Sequence, residues 1–383
     1  MLGTIFIFAI VLGLLVFIHE MGHFLTARRN GIKADEFGFG FPPRIVGAVK
    51  DRETGRYKIV WGNQNIESEE TVYSFNWIPL GGFVRIKGED MHHSHDENSF
   101  ASKGAWVRIK VLGAGVVMNF LLAWFLFAVV LTLGFPQQIN PQERALYPKT
   151  DVQILQVVKG SPAESMGLQP GDLLLSIDGK TVTNLEMVSA SIGAKKGQLV
   201  TLKVERGGIE NELSGTPRVL FPEGEGALGI SFSETALVSY PWYESIVRGL
   251  IHTYEFTLEI LKVFGNMLWN FITGQKVAVD IAGPVGIIYM TKQMSELGLV
   301  YILQFAAILS INLAIINALP IPALDGGRIL FVLIEKLKGS PVSQKTEGYF
   351  HQIGFLLLLL LMVFVTLHDV LQFDLWGKFL GLF

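Results

Sequence analysis

Four stretches of this chain carry no charged side chain over a length that soluble folds seldom need. They are Met1–Ile18 (18 residues), Val111–Phe135 (25), Leu297–Leu324 (28) and Gly348–His368 (21). A bilayer's hydrocarbon core takes roughly 20 apolar residues as helix, because the backbone must satisfy its own hydrogen bonds there. The runs therefore predict a polytopic α-helical membrane protein with four transmembrane helices. Only 17% of residues are charged, against about 25% in soluble domains, which points the same way. The first run has no basic segment before it and is followed at once by functional-looking charges, so it reads as retained rather than as a cleaved signal. A net charge of -3 gives no electrostatic case for nucleic acid. The absence of cysteine excludes disulfide frameworks, thiolate metal sites and a cysteine nucleophile.

A fifth apolar stretch, 244–274, differs in carrying Glu244, Arg248, Glu255, Glu259 and Lys262. Val247, Leu250, Ile251, Tyr254, Leu258, Leu261 and Leu268 recur in it at helical spacing. This reads as an amphipathic helix on a membrane or domain surface, with Trp242 and Trp269 suited to the interface. A core helix of a soluble portion is the alternative.

Loop charge sets the orientation. The segment Arg28–Lys110 holds 13 lysines and arginines, and Arg328, Lys336, Lys338 and Lys345 lie between the third and fourth runs. The positive-inside rule puts both loops in the cytoplasm and the N-terminus outside. The expected order is helix 1 over 1–27, cytoplasmic loop 28–105, helix 2 over 106–135, an external domain 136–235 and an external amphipathic segment 236–295. Helix 3 over 296–327, a cytoplasmic turn 328–347, helix 4 over 348–372 and an external tail 373–383 complete it.

The first run ends in His19-Glu20-Met21-Gly22-His23, the H-E-x-x-H pattern. Helical positions i and i+4 share a face, so two imidazoles can share one zinc while Glu20 serves as general base toward water. Such groups are costly in hydrocarbon and mark function there. A third ligand is needed at the same depth. The third run also travels outside to inside, and its inner end reads Asn317-Ala318-Leu319-Pro320-Ile321-Pro322-Ala323-Leu324-Asp325-Gly326-Gly327. Orientation thus brings Asp325 to the same end as His19 and His23. Pro320 and Pro322 break the helix where the chain can line a substrate cavity, and Gly326-Gly327 permits a tight turn.

His19-Glu20-x-x-His23 with the distant Asn-x-x-Pro-x-x-x-Leu-Asp-Gly-Gly resembles the intramembrane zinc proteases of the site-2 protease family, of the bacterial regulator-of-sigma-E type. The resemblance implies that His19, His23 and Asp325 bind Zn2+, that Glu20 is the catalytic carboxylate and that Asn317 orients substrate. Asn312 is either its helper or an interhelical hydrogen-bonding group. It also implies a bacterial cytoplasmic (inner) membrane location. The implied substrates are single-span membrane proteins already trimmed by an upstream site-1 protease, such as an anti-sigma factor or signal-peptide remnants.

Within the cytoplasmic loop, Phe37–Pro43, a strand at Tyr57–Val60 and the aromatic, glycine-rich Ser74–Gly88 suit a β element. A soluble sheet is equally open on the residues, and the resemblance implies one associated with the membrane. A helical peptide hides its carbonyls, so cleavage needs an extended segment that a sheet edge can hold by strand addition. His92, His93 and His95 with Asp96 and Glu97 read as a solvated loop.

In the external domain, Val152–Val158, Leu173–Ile177 and Leu199–Glu205 read as strands, with Ser161 capping a helix that opens at Pro162 and Asp178-Gly179 as a hairpin turn. The S-P-A-x-x-x-G-L-x-P-G-D run from Ser161 to Asp172, followed by I-D-G-K, resembles the PDZ domain of bacterial envelope proteases. The resemblance implies a PDZ-like α/β domain that filters substrates; a spacer without a ligand is the alternative. Well-known members carry two tandem copies, and one such run occurs here. Ile281–Ile287 also matches the family but offers no evident chemistry. The competing reading is a non-catalytic membrane scaffold or chaperone with a structural metal, against which the intact Glu20 argues. A zinc transporter would need further intramembrane carboxylates or histidines along a path.

Overall fold

The computed structural model describes residues 2–52, 54–64, 68–89, 96–139, 144, 147, 150–222, 225–275, 282–340 and 342–372. His92, His93, His95, Ile281 and the tail 373–383 lie outside these residues. The chain divides into two units, the first comprising 1–127, 249–291 and 304–383 and the second 128–248 and 292–303.

Four helices are long and apolar enough to cross a membrane: Gly3–Arg29, Ala105–Leu133, Leu299–Ala318 and Lys345–Leu371. They belong to α1 (Leu2–Arg29), α2 (Ala105–Leu133), α7 (Leu299–Ala318) and α9 (Gln344–Gln372). α1 runs eleven residues past the end of its charge-free run, so the H-E-x-x-H residues sit inside a helix rather than at its end. α7 stops at Ala318, before Pro320 and Pro322, and Asp325 opens a separate helix, α8 (Asp325–Lys338). Arg108 of α2 ties α8 down through the buried carboxylate of Glu335, 2.5 Å away.

The first unit also holds a sheet of β1 (Ala34–Lys50), β2 (Tyr57–Trp61) and β3 (Val72–Ile86), in the order β2-β1-β3. β3 meets β1 twice, so that Gly38 faces Phe83 on one flank and Ser74 on the other. The sheet lies on α1, where Phe37 stacks on Phe24 at 4.5 Å between centroids and meets Phe17 at 5.3 Å. The buried Glu36 receives two 2.8 Å bonds from Arg44. Burial alone would raise the Glu36 pKa, but hydrogen bonds from Arg44 and Ser74 and the charges of Arg44 and Arg85 bring it below its ordinary value. A depressed carboxylate stabilises fully above its unfolded pKa of about 4.3 and loses that contribution as pH falls through the lower folded value. Acid titration followed by tryptophan fluorescence is expected to show this loss in the wild type. Arg44→Met should unfold the sheet at neutral pH by stranding a buried charge, at about 3–5 kcal/mol.

α5 (Trp242–Thr273) is one continuous helix. All seven apolar residues that mark its periodicity, from Val247 to Leu268, are exposed, so this stripe does not pack as a core helix would. Within the first unit the opposite face packs instead, with Phe256 stacked on Phe127 at 5.2 Å and Thr253 buried. The N-terminus of α6 (Pro284–Leu297) is capped from afar: the fully buried Asp369 of α9 accepts from the amides of Gly283 (3.2 Å) and Gly286 (2.8 Å). The Gly-Pro-x-Gly run thereby acquires a structural role, as unsatisfied helix-start amides take an anion.

The second unit is built on a sheet ordered β4-β10-β5-β6-β8-β9, with β7 beside β6. Its strands are β4 (Phe135–Gln138), β5 (Asp151–Val157), β6 (Leu173–Ile177), β7 (Lys180–Thr181), β8 (Val200–Arg206), β9 (Ile209–Gly215) and β10 (Ile230–Val238). Short α3 (Pro162–Met166) starts on Ser161, whose side chain accepts from the amide of Glu164, and α4 (Leu185–Ala194) starts on Asn184. Asp178 and Gly179 both take positive φ, 48° and 76°, and close the β6–β7 hairpin. Ile154, Val188, Val200, Leu202 and Val204 are fully buried in the core. A cleft of about 350 Å³ is lined by Ser189, Ile192 and Lys196 on one side and by Leu228, Ile230 and Phe232 on the other.

The aspartate that ends the S-P-A…G-D run is buried and receives two bonds from Arg206, at 2.6 and 2.7 Å, and one from the Gln169 amide. Its hydrogen bond and charge raise the Arg206 pKa. Removing one partner of a buried pair costs about 3–5 kcal/mol. Asp172→Ala is therefore expected to strip hydrogen-exchange protection from β6 and β8 while leaving that of α1 and α2 intact.

Candidate metal centre

Because α1 continues through His23, His19 and His23 lie on one face and meet edge-on, with ring centroids 4.7 Å apart and Nε2 atoms 3.1 Å apart. Asp325 Oδ2 lies 3.1 Å from His19 Nε2 and 3.3 Å from His23 Nε2. Among the described residues this is the group of His, Asp and Glu side chains whose ligand atoms converge as a metal requires. Both histidines are buried and Asp325 is partly so. Glu20 follows His19 in α1 and is half-buried.

The donor set fits zinc. Ligands about 2.0–2.1 Å from a tetrahedral ion stand about 3.3 Å from one another, close to the three separations here. Asp325 Oδ2 is buried with no hydrogen-bond partner of normal geometry, so its lone pairs are not spent on the imidazoles. His23 Nδ1 lies 2.8 Å from the Val111 carbonyl oxygen. A carbonyl only accepts, so Nδ1 carries the proton and Nε2 turns a lone pair toward the cluster.

A bent connection delivers Asp325. After α7, the amide of Ile321 bonds back to Leu319 O at 2.7 Å and Ala323 takes a positive φ of 76°. The His351 Nδ1 of α9 accepts from the Ala323 amide at 2.8 Å and holds this unusual conformation. Gly326 and Gly327 do not make the turn; they lie in the first turn of α8. A Cβ on Gly326 would run into the carbonyls of Ala318 and Leu319, and one on Gly327 into that of Ile321. Their role is close approach rather than free backbone, which corrects the tight-turn expectation. Arg328, one residue on, pairs with Glu89 beyond β3.

The other expected site residues sit around this connection. Asn317 is half-buried in the last turn of α7, and Asn312 is half-buried about 140° around the same helix. Pro320 is exposed and Pro322 packs against α9, where a Cβ on Gly354 would meet it at 2.5 Å.

Three positions on α2 escape the sequence reading. Val111, Gly115 and Asn119 lie at i, i+4 and i+8, one face of the helix. Val111 meets His23 as above, Asn119 reaches His19 Nδ1 at 3.2 Å, and a Cβ on Gly115 would strike His19 Cε1 and His23 Nε2 at 2.5 Å. The available signal was a lone amide in a 25-residue uncharged run.

Residues 7–361 match peptidase family M50. The chain belongs to that family. Its relatives include zinc metalloprotease RasP of Geobacillus kaustophilus, 31% identical over 97% of this chain and 99% of that one. Regulator of sigma-W protease RasP of Bacillus subtilis is 30% identical over 96% and 98%, and a putative zinc metalloprotease of Clostridium perfringens is 32% identical over 93% and 95%. A PDZ domain of an SdrC-like protein from Listeria monocytogenes is a similar solved structure, with 24% identity, 21% of this chain, 85% of that one and a TM-score of 0.20. This M50 chain is a zinc metalloprotease of the site-2 type, and its four apolar helices make it a multi-pass membrane protein.

Proposed function

We propose that this M50 protease holds zinc on His19, His23 and Asp325 and uses Glu20 to cut peptide bonds within the transmembrane segments of single-span proteins. The observation that carries this reading is the convergence of three ligand atoms, on two elements far apart in sequence, beside a carboxylate. When bound, the metal supplies Lewis acidity toward the scissile carbonyl and toward water. Glu20 takes the proton from water and returns it to the leaving amine. The amide of Asn317, with Asn312 as its helper, orients the substrate backbone where the chain breaks at Pro320 and Pro322.

β3 is at the edge of its sheet and the sheet packs on α1 through Phe17, two residues before the motif. It is proposed as the cytoplasmic, membrane-associated strand that receives an unwound substrate by strand addition. The exposed apolar stripe of α5 then rests on the outer membrane–water boundary. The second unit is read as a single PDZ-like domain on the external side, with the cleft lined by Ile192 and Ile230 admitting extended peptides and limiting the bulk of what reaches the site. The orientation rests on the basic loops 28–110 and 328–345, and the location is a bacterial cytoplasmic membrane. Substrates are pre-trimmed by an upstream protease; by analogy with the relative named for sigma-W they are anti-sigma factors, or else signal-peptide remnants. Incubating the reconstituted full chain with a panel of trimmed single-span proteins, and mapping products by mass spectrometry, tests this. Cleavage inside the span is expected. Binding of peptides without cleavage by a zinc-loaded chain would favour the scaffold.

A further inference from the structure

We propose that Asn119 is the positioning residue of the metal centre: its side-chain oxygen accepts from His19 Nδ1–H and so holds the imidazole in the tautomer that can bind zinc. The inference rests on the zinc reading above and deepens it. Zinc on Nε2 leaves the imidazole proton on Nδ1, and that proton needs an acceptor in a buried place. His23 meets the requirement with the Val111 carbonyl. For His19 the polar group in reach is the fully buried Asn119, whose amide lies 3.2 Å from Nδ1.

Two further observations assign the amide's orientation. Nδ2 lies toward His19, while Oδ1 is buried with no hydrogen-bond partner. A half-turn about Cβ–Cγ exchanges the two ends without moving the helix. It gives Nδ1–H its acceptor. Asn119 is also fixed in place from the other side, because the hydroxyl of buried Ser310 on α7 donates to its backbone oxygen at 2.8 Å. Gly115, one turn earlier, leaves the space into which both rings fit. The α2 face thus matches the spacing of H-E-x-x-H, one acceptor for each histidine.

Chelator competition on the zinc-loaded full chain in detergent tests this, with Asn119→Leu and Asn119→Asp beside the wild type. Leucine keeps the branching of the side chain and removes the acceptor; aspartate supplies only acceptors, as in carboxylate–histidine–zinc arrangements. Loss of an outer partner typically costs 10–100-fold in metal affinity. The expected result is a 10–100-fold weaker zinc affinity for Asn119→Leu, with Asn119→Asp within about threefold of the wild type or tighter. Zinc retention by Asn119→Leu within about threefold overturns the inference. Equal weakening in both variants overturns it too, since a packing role would not be rescued by the acceptor. If His19→Ala binds zinc as tightly as the wild type, the metal reading itself fails and takes the inference with it.

Discussion

Replacing Glu20 with glutamine leaves zinc bound and slows cleavage of a single-span substrate by about 10²–10⁴-fold, the range that a positioned general base supplies. The substitution keeps the size of a half-buried side chain and removes its capacity to take a proton. His19 and His23 keep their lone-pair geometry, because their partners Asn119 and Val111 lie on another helix. Rates in proteoliposomes, with zinc content measured on the same samples, check both halves. Equal cleavage by the two proteins would remove Glu20 from the chemistry.

Asp325→Ala is expected to lose zinc and all detectable cleavage together. The variant retains two imidazoles but forfeits the third donor, and the loss should exceed the 10–100-fold range of outer-sphere partners. α8 should survive, since the buried Arg108–Glu335 pair still anchors it and Gly326 and Gly327 still seat it under the loop. Zinc affinity and the thermal transition of the chelated protein separate metal loss from unfolding. Undiminished zinc binding would show that Asp325 serves only as a helix-start carboxylate.

The apolar runs and the spacing of the histidines are legible in the sequence for physical reasons. A run without charge over 18 or more residues has few physical solutions, so the four spans were readable. Two histidines four apart with a glutamate between them need only a helix to become a site. Asp325 was reachable because loop charge fixes which helix ends share a side. What escaped depends on contacts across long stretches of chain. Asn119 meets His19 from 100 residues away, and Asp369 caps α6 from 83 and 86 residues away. No local pattern states either. The positive φ of Ala323 is held by His351, so the sequence pointed to the glycines instead. Proline and glycine statistics place a break near 320–327; only packing tells that the glycines are there for want of a Cβ.

X-ray absorption at the zinc edge on the purified full chain reads the metal's donors without reference to activity. The expected spectrum is that of one zinc per chain, four-coordinate, with nitrogen and oxygen donors at about 2.0–2.1 Å and the outer-shell scattering of two imidazoles. That signature should vanish in His19→Ala. A zinc surrounded by six oxygens, or a spectrum unchanged by His19→Ala, would contradict it.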